Sequence, residues 1–147
     1  MEIETIGYGA FYSHNEMDMI KTLKDYVGDS ILIDVRAKPY GALNYPTLKK
    51  EISKYHSVKE FGNTENIDLK FFEVNNKNLE LGIKRIIELV QRHKTNKIIL
   101  MCAEGNANKC HRVHIANKLA KKFGVNEINH LNSPEVNKRD LQKKLIL

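Results

Sequence analysis

At 147 residues the chain fits a single domain, 1–147, at about 150 residues per domain, and it is long enough to fold without a disulfide or metal staple. With 41% hydrophobic and 29% charged residues, no apolar run of membrane-spanning length, and a start at Met1-Glu2-Ile3-Glu4 that lacks a signal peptide's apolar core, it reads as a globular cytoplasmic protein that spans no membrane. The formal charge of +6 is uneven: 15 basic face 14 acidic side chains over residues 1–100, and 9 face 4 over residues 101–147.

Glu2 to Ile6 alternates as a strand does and ends at Gly7. Ser13-His14-Asn15-Glu16 has the spacing of a capping box, and Met17, Ile20, Leu23 and Val27 then repeat at helical intervals until Gly28-Asp29 stops them. Ser30-Ile31-Leu32-Ile33-Asp34-Val35 is a short apolar, β-branched run bounded by turn residues, the pattern of a strand covered on both faces. Pro39 and Pro46 keep 36–46 irregular, and a helix is expected from Thr47 to Tyr55. Ile67 to Val74 reads as a third strand. Leu79, Ile83, Ile86, Ile87 and Val90 mark a longer helix ending near His93, and Lys97 to Met101 is a second fully apolar strand. A helix from Asn108 or Lys109 to Phe123 carries Ile115, Leu119 and Phe123 on one face and ends at Gly124. Val125 to Leu131 gives a fifth strand, and 136–147 a terminal helix or strand. Strands alternating with helices imply parallel βαβ units with right-handed crossovers: a three-layer α/β domain with a mainly parallel, Rossmann-like sheet and helices on both faces.

In such sheets ligands bind outside the carboxyl ends of the strands. Two segments bring reactive side chains there: Asp34-Val35-Arg36 after the second strand, and the run from Cys102 through Glu104, Cys110 and His111 to Arg112, between the fourth strand and its helix. A helix N-terminus attracts anions, a guanidinium adds a planar fork for phosphate or carboxylate, and the same field activates a thiol. The blander readings are specific too. A cysteine finishing an apolar run is ordinarily a small buried hydrophobe, Asp34 could cap a turn beside Arg36, and His111 and His114 could face water. The convergence of Cys, Glu, Cys, His and Arg within eleven residues favours a site. A phosphatase loop needs five residues between Cys and Arg, whereas nine separate Cys102 from Arg112. A zinc set of Cys102, Cys110 and His111 with Glu104 or His130 lacks the paired spacing of zinc motifs, so no metal is assigned. In a reducing cytoplasm a stable Cys102–Cys110 bridge is not expected.

The sequence resembles the domain of unknown function 488 family of small bacterial and archaeal proteins. The resemblance runs through Thr5-Ile6-Gly7-Tyr8-Gly9, Leu32-Ile33-Asp34-Val35-Arg36-Ala37-Lys38-Pro39, Tyr55, Glu60-Phe61-Gly62-Asn63 and Asn129-His130-Leu131. Its most specific part is Met101-Cys102-Ala103-Glu104 followed by Cys110-His111-Arg112, with Ile115-Ala116 behind. The chain departs from the family at Tyr8 and Gly9, where His and Ser are usual, and at Phe61, where Leu is. The resemblance implies an α/β fold. It marks Asp34, Arg36, Gly62, Asn63, Cys102, Glu104, Cys110, His111 and Arg112 as signature positions, and it supplies no reaction.

The expected function is a small enzyme or enzyme-like domain holding an anionic, phosphorylated ligand. Cys102 stands as nucleophile, His111 as base, and Asp34 or Glu104 as orienting or proton-exchanging carboxylates. Arg36, Gly62, Asn63, Cys110 and Arg112 stand as ligand contacts. The cofactor is unknown. The alternative is a nucleic-acid-binding or nucleic-acid-processing domain that uses Lys109, Arg112, Lys118, Lys121, Lys122, Lys138, Arg139, Lys143 and Lys144.

Overall fold

The structure, a computed structural model, describes residues 1–7, 15–36, 43–61, 76–102 and 112–131. In chain order the elements are β1 (Glu2–Gly7), α1 (Glu16–Val27), β2 (Ile31–Asp34), α2 (Tyr45–Glu51), β3 (Tyr55–Ser57), a 3₁₀ turn (Lys59–Phe61), α3 (Asn76–His93), β4 (Lys97–Cys102), α4 (Arg112–Phe123) and β5 (Asn129–His130). The five strands form one parallel sheet in the order β3-β2-β4-β1-β5.

The two apolar runs occupy the middle of this sheet because helices cover both of its faces. Ile31, Leu32, Ile33, Ile98, Ile99, Leu100 and Met101 are all fully buried. Pleating divides them. On one face Ile31, Ile33, Ile98 and Leu100 pack with Leu79, Ile83 and Ile86 of α3 and Ile115 and Leu119 of α4. On the other, Leu32, Ile99 and Met101 pack with Met19, Leu23 and Tyr26 of α1 and Leu48 of α2. Each such side chain stabilises the fold by about 1.5–3 kcal/mol relative to exposure. Among the described residues, no helix is long and apolar enough to cross a membrane.

Several elements differ from their sequence expectations. The cap of α1 is Asn15, whose Oδ1 accepts from the Met17 and Asp18 amides at 2.9 and 3.4 Å, so the helix starts at Glu16 instead of following a Ser13 cap. Ser13 itself lies outside the described residues. The helix expected over Thr47–Tyr55 starts at Tyr45, with Asn44 capping the Thr47 amide and Pro46 accommodated in the first turn, where its missing N–H costs nothing. It ends at Glu51, and Tyr55 opens a strand that pairs with β2. The strand expected over Val125–Leu131 is confined to Asn129–His130, held by the two-residue ladder to Glu4 and Thr5 and by Thr5 Oγ1 against His130 Nδ1 at 2.8 Å. The expected strand Ile67–Val74 and the segment 136–147 lie outside the described residues.

Helix ends follow backbone conformation. Gly28 and Gly124 take φ of +55° and +67° at the ends of α1 and α4, as glycine does without a Cβ penalty. At the end of α3 the same left-handed region is occupied by Lys94, φ +53°, whose amide bonds to the Val90 carbonyl at 2.9 Å.

Candidate functional site at the carboxyl edge of the sheet

The edge is built by the ends of β1, β4 and β2. Gly7 lies in register with Cys102, and Asp34 with Met101 and Ser57. The chain leaving β1 goes to α1 on one face of the sheet, while the chain leaving its neighbour β4 goes to α4 on the other. Adjacent strands whose connections diverge in this way open a crevice at their carboxyl ends, the usual ligand position in open α/β sheets.

Asp34 and Arg36 come together, and mainly on each other. The Asp34 carboxylate is fully buried and receives four donors. Its Oδ1 accepts from the Arg36 amide at 3.1 Å and Nε at 2.9 Å, and its Oδ2 accepts from Arg36 Nη2 at 2.7 Å and the Tyr55 hydroxyl at 2.6 Å. Arg36 Nη2 also donates to the Leu43 carbonyl at 2.6 Å, which ties the end of β2 to the entry of α2. A buried ion pair holds only when its remaining lone pairs and protons are satisfied, and this one is densely satisfied. Burial raises the Tyr55 pKa far above the usual phenol range, and the Asp34 charge and hydrogen bond push the same way, so the hydroxyl remains a proton donor. In register with Asp34, the Ser57 Oγ is buried and has no hydrogen-bond partner among the described residues.

Cys102 ends β4 but faces the other way. Its side chain packs on the α3–α4 face with Ile115 and Ala116, whereas Tyr55 and Met101 belong to the α1–α2 face. It is 1% exposed and is disulfide-bonded, contrary to the unbridged thiol expected in a reducing compartment. The sequence holds one other cysteine, Cys110. A bridged sulfur carries no thiolate, so nucleophilic chemistry at Cys102 requires prior reduction.

Arg112 opens α4, and its side chain lies outside what the structure describes. Gly62, Asn63, Glu104, Cys110 and His111 lie outside the described residues. Thus two of the expected residues, Asp34 and Arg36, meet directly, and Cys102 shares their edge of the sheet from the opposite face. Tyr55, which completes the Asp34 network, and Ser57, which lies in register with Asp34, were not among the expected site residues. Tyr55 entered as the end of the helix expected from Thr47 and through the family resemblance, and no spacing in the sequence marks either residue as part of a site.

The family model for the Domain of unknown function DUF488 matches residues 17–119, more than two thirds of the chain and the span that contains the Asp34 network and Cys102. The chain belongs to the DUF488 family. No curated protein and no solved structure matches it.

Proposed function

We propose that this DUF488 protein is a single-domain cytoplasmic enzyme, or enzyme-like domain, that binds an anionic, phosphorylated small molecule in the crevice between β1 and β4. The observation that carries the reading is that the chain leaving β1 goes to a helix on one face of the sheet and the chain leaving β4 to a helix on the other, with Gly7 beside Cys102 at the strand ends. Glycine leaves room there for close approach of a ligand to the backbone. Arg112 and the N-terminal amides of α4 supply positive charge to the anion, and Gly62, Asn63 and Cys110 are further candidate contacts. Asp34 acts through Arg36 and Tyr55 as an orienting group, because its carboxylate is already engaged by them. Arg36 contributes by bracing β2 against Leu43. Glu104 and His111 are the candidates for proton transfer, and Cys102 for nucleophilic attack once its disulfide is reduced by a thiol.

The test is a thermal-shift screen of the whole chain against phosphate, nucleotides, sugar phosphates, short DNA and RNA, and divalent metals, repeated with Arg112→Ala. A ligand at a hundredfold excess over its Kd adds about 2.7 kcal/mol, or about 8 °C at about 3 °C per kcal/mol for a chain of this length. A shift with a phosphorylated compound that disappears in the Arg112 variant supports the assignment. A shift only with nucleic acid, fading as salt rises, replaces it with phosphate-backbone binding by the basic carboxyl-terminal third.

A further inference from the structure

Charge is distributed unequally between the two faces of the sheet. On one face α1 holds Glu16, Asp18 and Asp25 against Lys21 and Lys24. On the other face α4 holds no acidic residue, and its Lys118, Lys121 and Lys122 share one side of the helix at i, i+3 and i+4. α3 packs beside α4 and ends in Arg92 and His93, with Lys94 directly after. Both helices run antiparallel to the strands: α3 leads into the start of β4, and α4 returns towards β5, which pairs with Glu4 and Thr5. Their carboxyl ends therefore lie at the amino edge of the sheet, the end opposite the crevice.

Arg92, Lys94, Lys121 and Lys122 are exposed and Lys118 is half-buried. Among the described residues no carboxylate pairs with any of the five, whereas Arg36, Arg85 and Lys97 each have one. A helix dipole draws a cation or two to a helix end, which leaves most of this cluster unaccounted for. Lys94 is the more telling member, because it takes the left-handed conformation, φ +53°, where α1 and α4 place Gly28 and Gly124. Lysine is less favourable there than glycine, so the chain carries a charge where glycine would hold the helix end better. From this arrangement we propose that the carboxyl ends of α3 and α4 form a contact surface for the phosphate backbone of a nucleic-acid duplex, with Arg92, Lys94, Lys118, Lys121 and Lys122 as the phosphate contacts. Packed helix axes lie about 8–10 Å apart, and Lys118 to Lys122 rises about 6 Å along α4. The patch thus spans several of the charges that a duplex carries about every 1.7 Å along its axis. Among the described residues it offers no exposed aromatic ring on which single-stranded bases could stack, since Phe123 packs against the core. Nor does it offer an apolar anchor for a lipid surface: Leu81, the exposed large hydrophobic of these two helices, stands about 16 Å back along α3 from Arg92. Contacts to phosphates alone read no bases, so the binding is independent of sequence.

The patch is independent of the β1–β4 crevice and is tested separately, by fluorescence anisotropy of the full-length protein with a labelled DNA duplex of arbitrary sequence at rising salt. Four or five phosphate contacts give a log–log slope of about −3.6 to −4.5, so a fourfold rise in salt weakens binding by about 150- to 500-fold. Lys121→Gln combined with Lys122→Gln makes the slope shallower by about 1.8, and Lys94→Ala by about 0.9. Lys94→Ala keeps a non-glycine residue at the left-handed position, so its melting curve matches the wild type while its slope changes, which separates contact from folding. Lys21→Gln combined with Lys24→Gln on α1 leaves the slope unchanged, and so does Arg112→Ala at the crevice end of α4. The proposal is overturned if the wild type does not bind the duplex at low salt, or if the slope survives unchanged in the Lys94 and Lys121–Lys122 variants. Tighter binding to single-stranded DNA or to vesicles containing phosphatidylserine than to the duplex overturns it as well.

Discussion

Replacing Gly82 with alanine sets helix propensity against packing. Gly82 lies inside α3, where the exchange removes the entropic cost of glycine and gains about 1 kcal/mol in an exposed helix. Here the added Cβ would sit 2.4, 2.5 and 2.8 Å from Cε1, Cζ and Cδ1 of Phe61, about 1 Å inside ordinary carbon–carbon contact. Phe61 has no free side on which to retreat: it is fully buried, it closes the 3₁₀ turn after β3, and it packs among Val58, Leu79 and Ile83. Accommodating the methyl therefore means shifting α3 off the turn, an overpacking cost of about 1–3 kcal/mol. We expect Gly82→Ala to lose up to about 2 kcal/mol net, read as a lower urea midpoint at unchanged m. In a Phe61→Leu background the same exchange loses its cost, and the coupling between the two positions exceeds about 0.5 kcal/mol in a double-mutant cycle. A Gly82→Ala protein as stable as the wild type, or more so, would refute the close packing of α3 on the turn.

Three further outcomes are expected. Tyr55→Phe removes a 2.6 Å hydrogen bond to a buried carboxylate and lowers stability by about 1.5–3 kcal/mol in denaturant titration; a loss under about 0.5 kcal/mol would contradict the Asp34 network. His56 stays neutral in the fold down to about pH 4, whereas in the unfolded chain it takes up a proton near its ordinary 6.5. Stability should therefore fall as pH drops from about 6.5 towards 4, by about 1–2 kcal/mol after allowance for solvent screening of a part-exposed ring, and His56→Gln should flatten that part of the profile. Lys94→Gly relieves a left-handed residue at the end of α3 and should raise the unfolding free energy by about 1 kcal/mol in denaturant titration, whereas Lys94→Ala should leave it within about 0.5 kcal/mol.

The fold class was legible because β2 and β4 are apolar on consecutive residues, and only a strand covered on both faces tolerates that pattern. The helices were legible from their apolar spacing. The third strand was not. Tyr55-His56-Ser57 is three residues long and two of them are polar; Tyr55 is drawn inward by Asp34, a partner 21 positions away, and no local pattern records that bond. The long strand expected at 125–131 shrank for a related reason, since the apolar positions Val125 and Ile128 pack against the α3–α4 core without entering the ladder. At the site, the position of Asp34 and Cys102 at the strand ends could be read from the apolar runs. Their opposite facing could not, because it depends on the register between β2 and β4, which two separate segments do not reveal. The contact of His56 Nε2 with His93 Nε2, at 2.9 Å, joins an edge strand to a helix end, so it has no motif spacing at all.

The order of the strands also constrains how the chain acquires its structure on the ribosome. β1 is made first, yet its hydrogen-bonding partners are β4 and β5, at residues 97–102 and 129–130. Among the described residues the opening strand therefore lacks its partners for most of synthesis, while β2 and β3, which pair across α2, are already made. β1 can find its β4 partner only once residues 97–102 are made, and its β5 partner only later still. Non-local pairing of this kind slows folding, because the loop must close before any contact rewards it. A nascent chain that stops short of β4 leaves both β1 and the inner edge of β2 open to pairing with other chains, so the amino-terminal strand is held in reserve until the carboxyl-terminal third arrives.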